Sequence, residues 1–243
     1  MQEYFRLLYQ FNQTPTLCNF LQLVSYDVWN RIEFTRTRNG LKIYETTLTQ
    51  NILYEFNIYS EAFPSIPIRM FEAINEPLNG NDIELVIETR GGFILAPLQA
   101  KLLYSSDNYR AMDHGNQISD LINYAANIGG IPLYLLYNYH SYNEFVYNNN
   151  LCGINFSKEQ FGCSLVSAHY LNNNYAKERT DKDGNPKWLI PSFRDLHPDI
   201  AVPWFVLGCC RNQNTDKDSL IVNTRQSDPH SPKQCDPLRN TFQ

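Results

Sequence analysis

Asp82, Gln99 and Lys101, with Glu45 well upstream, are the residues of this 243-residue chain whose types and spacing could do chemistry. Hydrolysis of a phosphodiester needs hard oxygen ligands for a divalent cation and a positive group beside the attacking water. Asp82 can ligate directly. Gln99 offers a neutral carbonyl oxygen, and the backbone carbonyl of Ala100 can add a third ligand. Lys101 can hold or help deprotonate the water and neutralise charge in the transition state. Gln99 and Lys101 are two apart, so on a strand they share a face. Glu84 stands in the same relation to Asp82 and could compensate for the neutral Gln99. Glu45, at the start of a helix, could complete the shell or hold a ligating water. An exposed strand face carrying ordinary polar residues would look the same over these few positions, so the surrounding elements decide between the two readings.

Those elements follow from periodicity. Residues 1 to about 38 read as helical, with Glu3 to Phe11 amphipathic and Thr14-Pro15 supplying an N-cap and a proline at the first helical position. Asn39-Gly40 is a turn. A second helix starts near Glu45, with Tyr44, Leu48, Ile52 and Phe56 on one stripe widened by Leu53, and Pro64 and Pro67 stop it. The period then changes. Ile68–Ile74 is a short strand and Asn79-Gly80-Asn81 a turn. In Asp82–Thr89, Ile83, Leu85 and Ile87 alternate with Asp82, Glu84 and Glu88. Phe93–Tyr104 is the next strand. Gln117–Ile128 is a helix with Ile118, Leu121, Ile122, Ala125 and Ala126 as its apolar stripe, Asn116 as N-cap and Gly129-Gly130 as its stop. Ile131–Tyr137 is a buried strand. Beyond it, Phe161–Asn172 reads as a helix, Val202–Cys210 as a last core strand, and the polar, proline-dotted stretch after Arg211 as a loose tail.

Gly80-Asn81-Asp82-Ile83-Glu84 followed after a turn by Gln99-Ala100-Lys101 resembles the signature of the PD-(D/E)xK superfamily. The glutamine variant resembles the Mrr-like restriction endonucleases, in which a Gly-x-Asp strand precedes a Gln-x-Lys strand. The order helix-strand-strand-strand-helix-strand also matches that core. Glu45-Thr46-Thr47-Leu48-Thr49 and Gln117-Ile118-x-x-Leu121 further resemble a small uncharacterised bacterial family with the same strand, which brings no activity with it. The resemblance implies an α/β, restriction-endonuclease-like core with a mixed sheet. It assigns Asp82, Gln99, the Ala100 carbonyl and Glu45 to Mg²⁺ (with Mn²⁺ as a substitute), Lys101 to catalysis, and Gln117 to positioning substrate or water, a role in which Glu84 is also expected. The proline of the superfamily name is absent, and Gln99 stands where a carboxylate is usual. The implied organisation is a helical N-terminal extension over 1–42, the core over 43–140, a C-terminal extension packed on it over 141–210, and the tail over 211–243.

The function so implied is Mg²⁺-dependent endonucleolytic cleavage of DNA, in restriction or antiviral defence by analogy. An RNA-cleaving effector or toxin of the same fold, and a non-catalytic interaction protein that keeps the fold, are the alternatives. Net charge is −5, which argues against coating nucleic acid with the whole surface and leaves local contacts open. That balance suggests a homodimer or a partner protein as a source of substrate affinity. Basic residues cluster at Arg31, Arg36, Arg38 and Lys42 and again at Lys177, Arg179, Lys182 and Lys187, each more often a solvated face than a binding patch. Tyr104, Tyr109, Tyr137 and Tyr139 could stack on bases. The longest apolar run is strand length, so no membrane span is expected, and with no secretory pattern at Met1 a cytoplasmic protein is. The six cysteines form no CxxC pair and read as reduced. A zinc site from Cys152, Cys163 and Cys209 or Cys210 has the wrong spacing, and burial as small hydrophobes is the better account. Asp181-Lys182-Asp183-Gly184 is a turn rather than a calcium loop. Of the scattered histidines, His114 lies closest to the Gln117 helix and could face the cleft.

Overall fold

The computed structural model describes residues 16–66, 68–89, 92–110, 112, 116–141, 145–151, 153–175, 178–180, 186–188 and 190–209. Within them, helices α1 (Leu17–Thr37) and α2 (Glu45–Ala62) lead into strand β1 (Ile68–Glu72), a single helical turn α3 (Glu76–Asn79), and strands β2 (Ile83–Thr89) and β3 (Gly92–Leu102). Helix α4 (Gln117–Ile128) then crosses to β4 (Leu133–Tyr137). The expected order from the second helix onward is found, with α3 in place of a plain turn. The result is an α/β architecture around a six-stranded mixed sheet.

After β4 come the small hairpin β5 (Asn150–Leu151) and β6 (Ile154–Asn155), a 3-10 turn (Lys158–Gly162), β7 (Cys163–Ser167) and α5 (Ala168–Asn174). A second hairpin, β8 (Glu178–Thr180) and β9 (Pro186–Trp188), precedes α6 (Phe193–Leu196), β10 (Val202–Pro203) and α7 (Val206–Cys209). The main sheet has the order β1-β2-β3-β4-β7-β10. Only β3 and β4 are parallel, and α4 is the crossover that a parallel pair requires.

Two apolar layers sandwich the sheet. On one face α1 and α2 bury Phe20, Leu21, Val24, Val28, Ile32, Leu48, Ile52 and Phe56 against Ile83, Leu85, Leu98, Ala100 and Leu135. On the other, Ile118 and Leu121 of α4 and Leu171 of α5 meet Tyr134, Leu136 and Val166. The first layer runs from α1 through to Val202, Trp204 and Val206, so the core crosses the boundaries expected at residues 42 and 141.

Several local expectations need correction. Helix α1 begins at Leu17 and is capped by Thr16, whose hydroxyl accepts the Asn19 N–H at 3.2 Å. Thr14, Pro15, the stretch Glu3–Phe11, Pro67, His114, Asp181–Gly184 and the tail after Arg211 lie outside the described residues. Tyr44 is the N-cap position of α2 and 61% exposed, so it does not join the buried stripe. Ala126 is exposed on α4. The supposed helix Phe161–Asn172 is a turn, a strand and a shorter helix: Cys163–Ser167 is covered on both faces as the fifth strand, so its residues are all buried and show no alternation. Val202–Cys210 supplies only a two-residue strand before turning into α7. Cys163 is free and buried, as expected of a small hydrophobe, whereas Cys18 is disulfide-bonded rather than reduced. Every other cysteine is far along the chain, so spacing gave no sign of this pairing.

Trp204 shows how firmly the C-terminal segment belongs to the core. Its indole N–H donates to the Leu21 carbonyl at 2.7 Å, and its ring meets Phe56 edge-on. Trp204→Ala is expected to lower unfolding free energy by about 3–5 kcal/mol. Urea denaturation checks this, and a loss below about 1 kcal/mol would mean that this segment is dispensable to the core.

Candidate functional site

The site is built on a mismatch of strand lengths. Strand β2 pairs with β3 from Thr89↔Gly92 to Ile83↔Leu98, and β3 continues to Leu102. The Asp82 N–H still reaches the Leu98 carbonyl at 2.9 Å. Beyond it, Gln99 to Leu102 pair only with β4. The N–H groups of Ala100 and Leu102 therefore point past the start of β2 and need other acceptors. Two carboxylates supply them. Asp82 Oδ2 accepts the Ala100 N–H at 2.7 Å, and Glu45 Oε2 accepts the Leu102 N–H at 2.8 Å. Two residues along a strand span about 7 Å, so the two acids sit side by side on the overhang. Glu45 is the first residue of α2, where the helix dipole favours a negative charge.

Gln99 and Lys101 share the opposite face, as their spacing predicts, and both are almost fully buried. The Gln99 amide nitrogen donates to Asp82 Oδ2 and, at 3.3 Å, to the Ala100 carbonyl. Its oxygen, Oε1, is buried with no partner. Lys101 Nζ donates to Gln117 Oε1 at 3.1 Å. Gln117 opens α4, where Asn116 holds the N-cap position at φ +74° without using its side chain as a cap.

Gly80 sets the spacing between Asp82 and α4. It closes α3 at φ +69°, donating its N–H to the Glu76 carbonyl at 2.8 Å. A Cβ there would come within 2.5 Å of the Gln117 carbonyl oxygen and 2.9 Å of the Leu121 nitrogen. Glycine is thus required both by the left-handed backbone and by contact with the first turn of α4. The Gly-x-Asp pattern has a physical reason here: its glycine lets the Asp82 segment lie against the helix that holds Lys101.

The structure brings Asp82, Gln99, Ala100, Lys101, Glu45 and Gln117 together. Glu84 takes a different role. Its carboxylate accepts from Asn81 Nδ2 at 2.7 Å and from the Tyr124 hydroxyl on α4, so it is committed away from Asp82. Glu76, which periodicity gave no reason to single out, does act on the site: its charge raises the proton affinity of both Asp82 and Glu45. Tyr109 and Tyr137 are fully buried, with hydroxyls bonded to Asn138 and Thr49, and Tyr139 packs between Trp29 and Arg36, so these three are not stacking platforms. Tyr104 is exposed. Arg36 donates to the carbonyls of Leu103 and Tyr139, and Arg31 pairs with Asp27 and Glu55. Both are structural rather than part of a binding patch.

Burial pushes the Asp82 carboxyl up to about 7; the Ala100 N–H and Lys101 oppose this, while Glu76 and Glu45 add to it. Burial also raises Glu45, against Lys101 and the Leu102 N–H. Among the described residues, no three His, Cys, Asp or Glu side chains are arranged to hold a metal ion. The donor set that does fit a hard cation is mixed: the Asp82 carboxylate, the Ala100 carbonyl and the unpartnered Gln99 oxygen. Turning the Gln99 amide over exchanges its nitrogen for that oxygen beside Asp82.

An α/β domain with an acid–amide–lysine cluster at one end of a mixed sheet is the class these observations define. The chain belongs to DUF6615, a family of unknown function whose model matches residues 17–237. No curated protein matches it. No helix among the described residues is long and apolar enough to cross a membrane.

The folded Asp82 carboxyl holds its proton to about pH 7, the unfolded one to about pH 4. Folding therefore takes up a proton between those values. The stability gained is complete below about pH 4 and lost as pH rises through 7. Asp82→Asn, which cannot ionise, is expected to melt above the wild type at pH 8 in EDTA, with the difference shrinking towards pH 4. Equal differences at both pH values would show that the carboxylate is not held in a desolvated position.

Proposed function

We propose that this protein is a metal-dependent endonuclease with a restriction-endonuclease-like core, acting on DNA. The observation that carries the reading is the buried, unpartnered Gln99 oxygen, whose amide lies against the Asp82 carboxylate two residues along the strand from Lys101. A buried amide oxygen without a donor costs about 1–3 kcal/mol, and a cation at Asp82 would offset that cost.

Asp82, Gln99 and the Ala100 carbonyl would hold Mg²⁺, with Glu45 at the edge of the same shell. The bound cation supplies positive charge against the phosphoryl oxygens as negative charge develops in an in-line displacement. Lys101 orients the attacking water and balances charge at the phosphate. Gln117 fixes the Lys101 ammonium, and Glu45 fixes the end of β3 by holding the Leu102 N–H. Phe156, Phe161 and the other buried aromatics take no part.

The rim suits a nucleic-acid strand. Tyr44, directly before Glu45, is 61% exposed, and Tyr104, two residues beyond Leu102, is 43% exposed with the Arg110 guanidinium 5.0 Å over its ring. Lys42 is exposed on the same approach to α2. Aromatic faces backed by cations bind bases and phosphates locally, which fits a chain whose net charge is −5. A role in restriction or antiviral defence follows by analogy with the family that the Gly-x-Asp and Gln-x-Lys strands resemble.

The test is incubation of the purified chain with supercoiled plasmid, single-stranded DNA and RNA of the same sequence, with Mg²⁺, Mn²⁺ or EDTA. Cleavage of DNA is expected with either metal and not with EDTA. Asp82→Ala and Lys101→Ala should each reduce it at least about a hundredfold. Cleavage of RNA alone would replace DNA as the substrate. Full cleavage by Lys101→Ala would refute the mechanism, and no cleavage of any polymer would leave a non-catalytic nuclease-fold protein as the better account.

A further inference from the structure

The chain turns sharply where β3 leaves the site. The Tyr104 N–H donates to the Asn108 carbonyl at 2.9 Å, and the Asp107 N–H donates to the Tyr104 carbonyl at 3.0 Å. Asp107 takes the left-handed conformation, at φ +57°, within this turn. The turn is braced from several sides. Asn108 makes an antiparallel bridge to Ser192, and the Tyr109 N–H donates to the Pro191 carbonyl at 3.0 Å. The buried Tyr109 hydroxyl donates to Asn138, and His140 Nε2 lies 3.2 Å from Asp107 Oδ1.

Tyr104 stands on this base. The Arg110 guanidinium carbon lies 5.0 Å from the centre of its ring, and Arg110 also donates to Ser106 Oγ at 3.4 Å. The ring is thus backed by a cation while the residue is still 43% exposed. A ring carried on a fixed backbone loses little freedom when a partner stacks on it. Tyr104 is two residues past Leu102, a span of at most about 7 Å, and the Leu102 N–H is held by Glu45. The platform therefore adjoins the acid–amide–lysine cluster. The partner that suits an aromatic ring with a guanidinium beside it is a flat ring joined to an anion, as in a nucleotide. Inside a duplex the faces of each base are covered by its neighbours, so only an unpaired base presents one. The charge agrees. A duplex held along its backbone calls on about 6–10 phosphate contacts. Net charge here is −5, and at the overhang Lys101 is committed to Gln117 and Arg36 to the Leu103 and Tyr139 carbonyls.

We infer that Tyr104, backed by Arg110, stacks an unpaired base beside the phosphate to be cleaved, so that the substrate is an unpaired DNA strand rather than an intact duplex. That the phosphate beside it is cleaved rests on the nuclease reading proposed above; the stacking rests on the turn.

The test titrates the full chain, in EDTA, into single-stranded DNA carrying 2-aminopurine, whose fluorescence falls when the base stacks, and into the same strand annealed to its complement. The single strand is expected to be quenched, and to bind at least about tenfold more tightly than the duplex. Tyr104→Ala should weaken that binding about tenfold and remove most of the quenching without lowering the melting temperature. Tyr104→Phe should behave as wild type. If Tyr104→Ala binds and quenches as wild type does, or the duplex binds as tightly as the single strand, the inference is overturned, and Asp82-dependent cleavage decides the nuclease reading separately. If quenching depends on Tyr104 but no polymer is cleaved in Mg²⁺ or Mn²⁺, the stacking platform stands and the nuclease reading falls.

Discussion

Everything at the site depends on β3 outrunning β2. A strand edge buried without a partner leaves N–H groups that cost about 1–3 kcal/mol each. Here Ala100 and Leu102 present two such groups, and carboxylates rather than a further strand satisfy them. The same two hydrogen bonds that repair the edge hold Asp82 and Glu45 next to each other, a crowding that neither would adopt in water. Structural repair and the assembly of the acid–amide–lysine cluster are one interaction seen from two sides.

The rest of the molecule fixes where that overhang ends. On one face, α2 is packed through Leu48, Ile52 and Phe56, so that its first residue meets Leu102. On the other, Gly80 admits the Asp82 segment to within contact of α4, and Gln117 then reaches Lys101. Arg36, from the last turn of α1, holds the Leu103 and Tyr139 carbonyls just past the ends of β3 and β4. Asn138 adds a buried network, accepting from Tyr109 and donating to the Phe161 carbonyl at 2.8 Å and to Ser164 Oγ at 3.2 Å. The parallel pair β3 and β4 is thereby pinned from three directions at the end that carries the site.

The sequence revealed most where one face is solvated or one stripe is apolar. Strand β2 alternates because only one of its faces is packed, and α4 stands out by its stripe and its Gly129 stop at φ +67°. The pairing of Gln99 with Lys101 on one face was legible for the same reason. Strand β7 was not, since Cys163–Ser167 is buried on both sides and a continuous apolar run looks alike in a strand and in a buried helix. For Glu84 the two-residue period gives the face and not the neighbour: Tyr124, a helix away in sequence, bonds its carboxylate. Glu76 was invisible because its position depends on a one-turn helix that has no periodicity to read.

Crystals soaked in Mn²⁺ would probe the proposed cation site at Asp82 and Gln99. An anomalous-scattering peak is expected within about 2.2 Å of an Asp82 carboxylate oxygen, with the Gln99 amide turned so that Oε1 faces the ion. An ordered ion elsewhere, or none at Asp82 with the Gln99 nitrogen still bonded to that carboxylate, would contradict it.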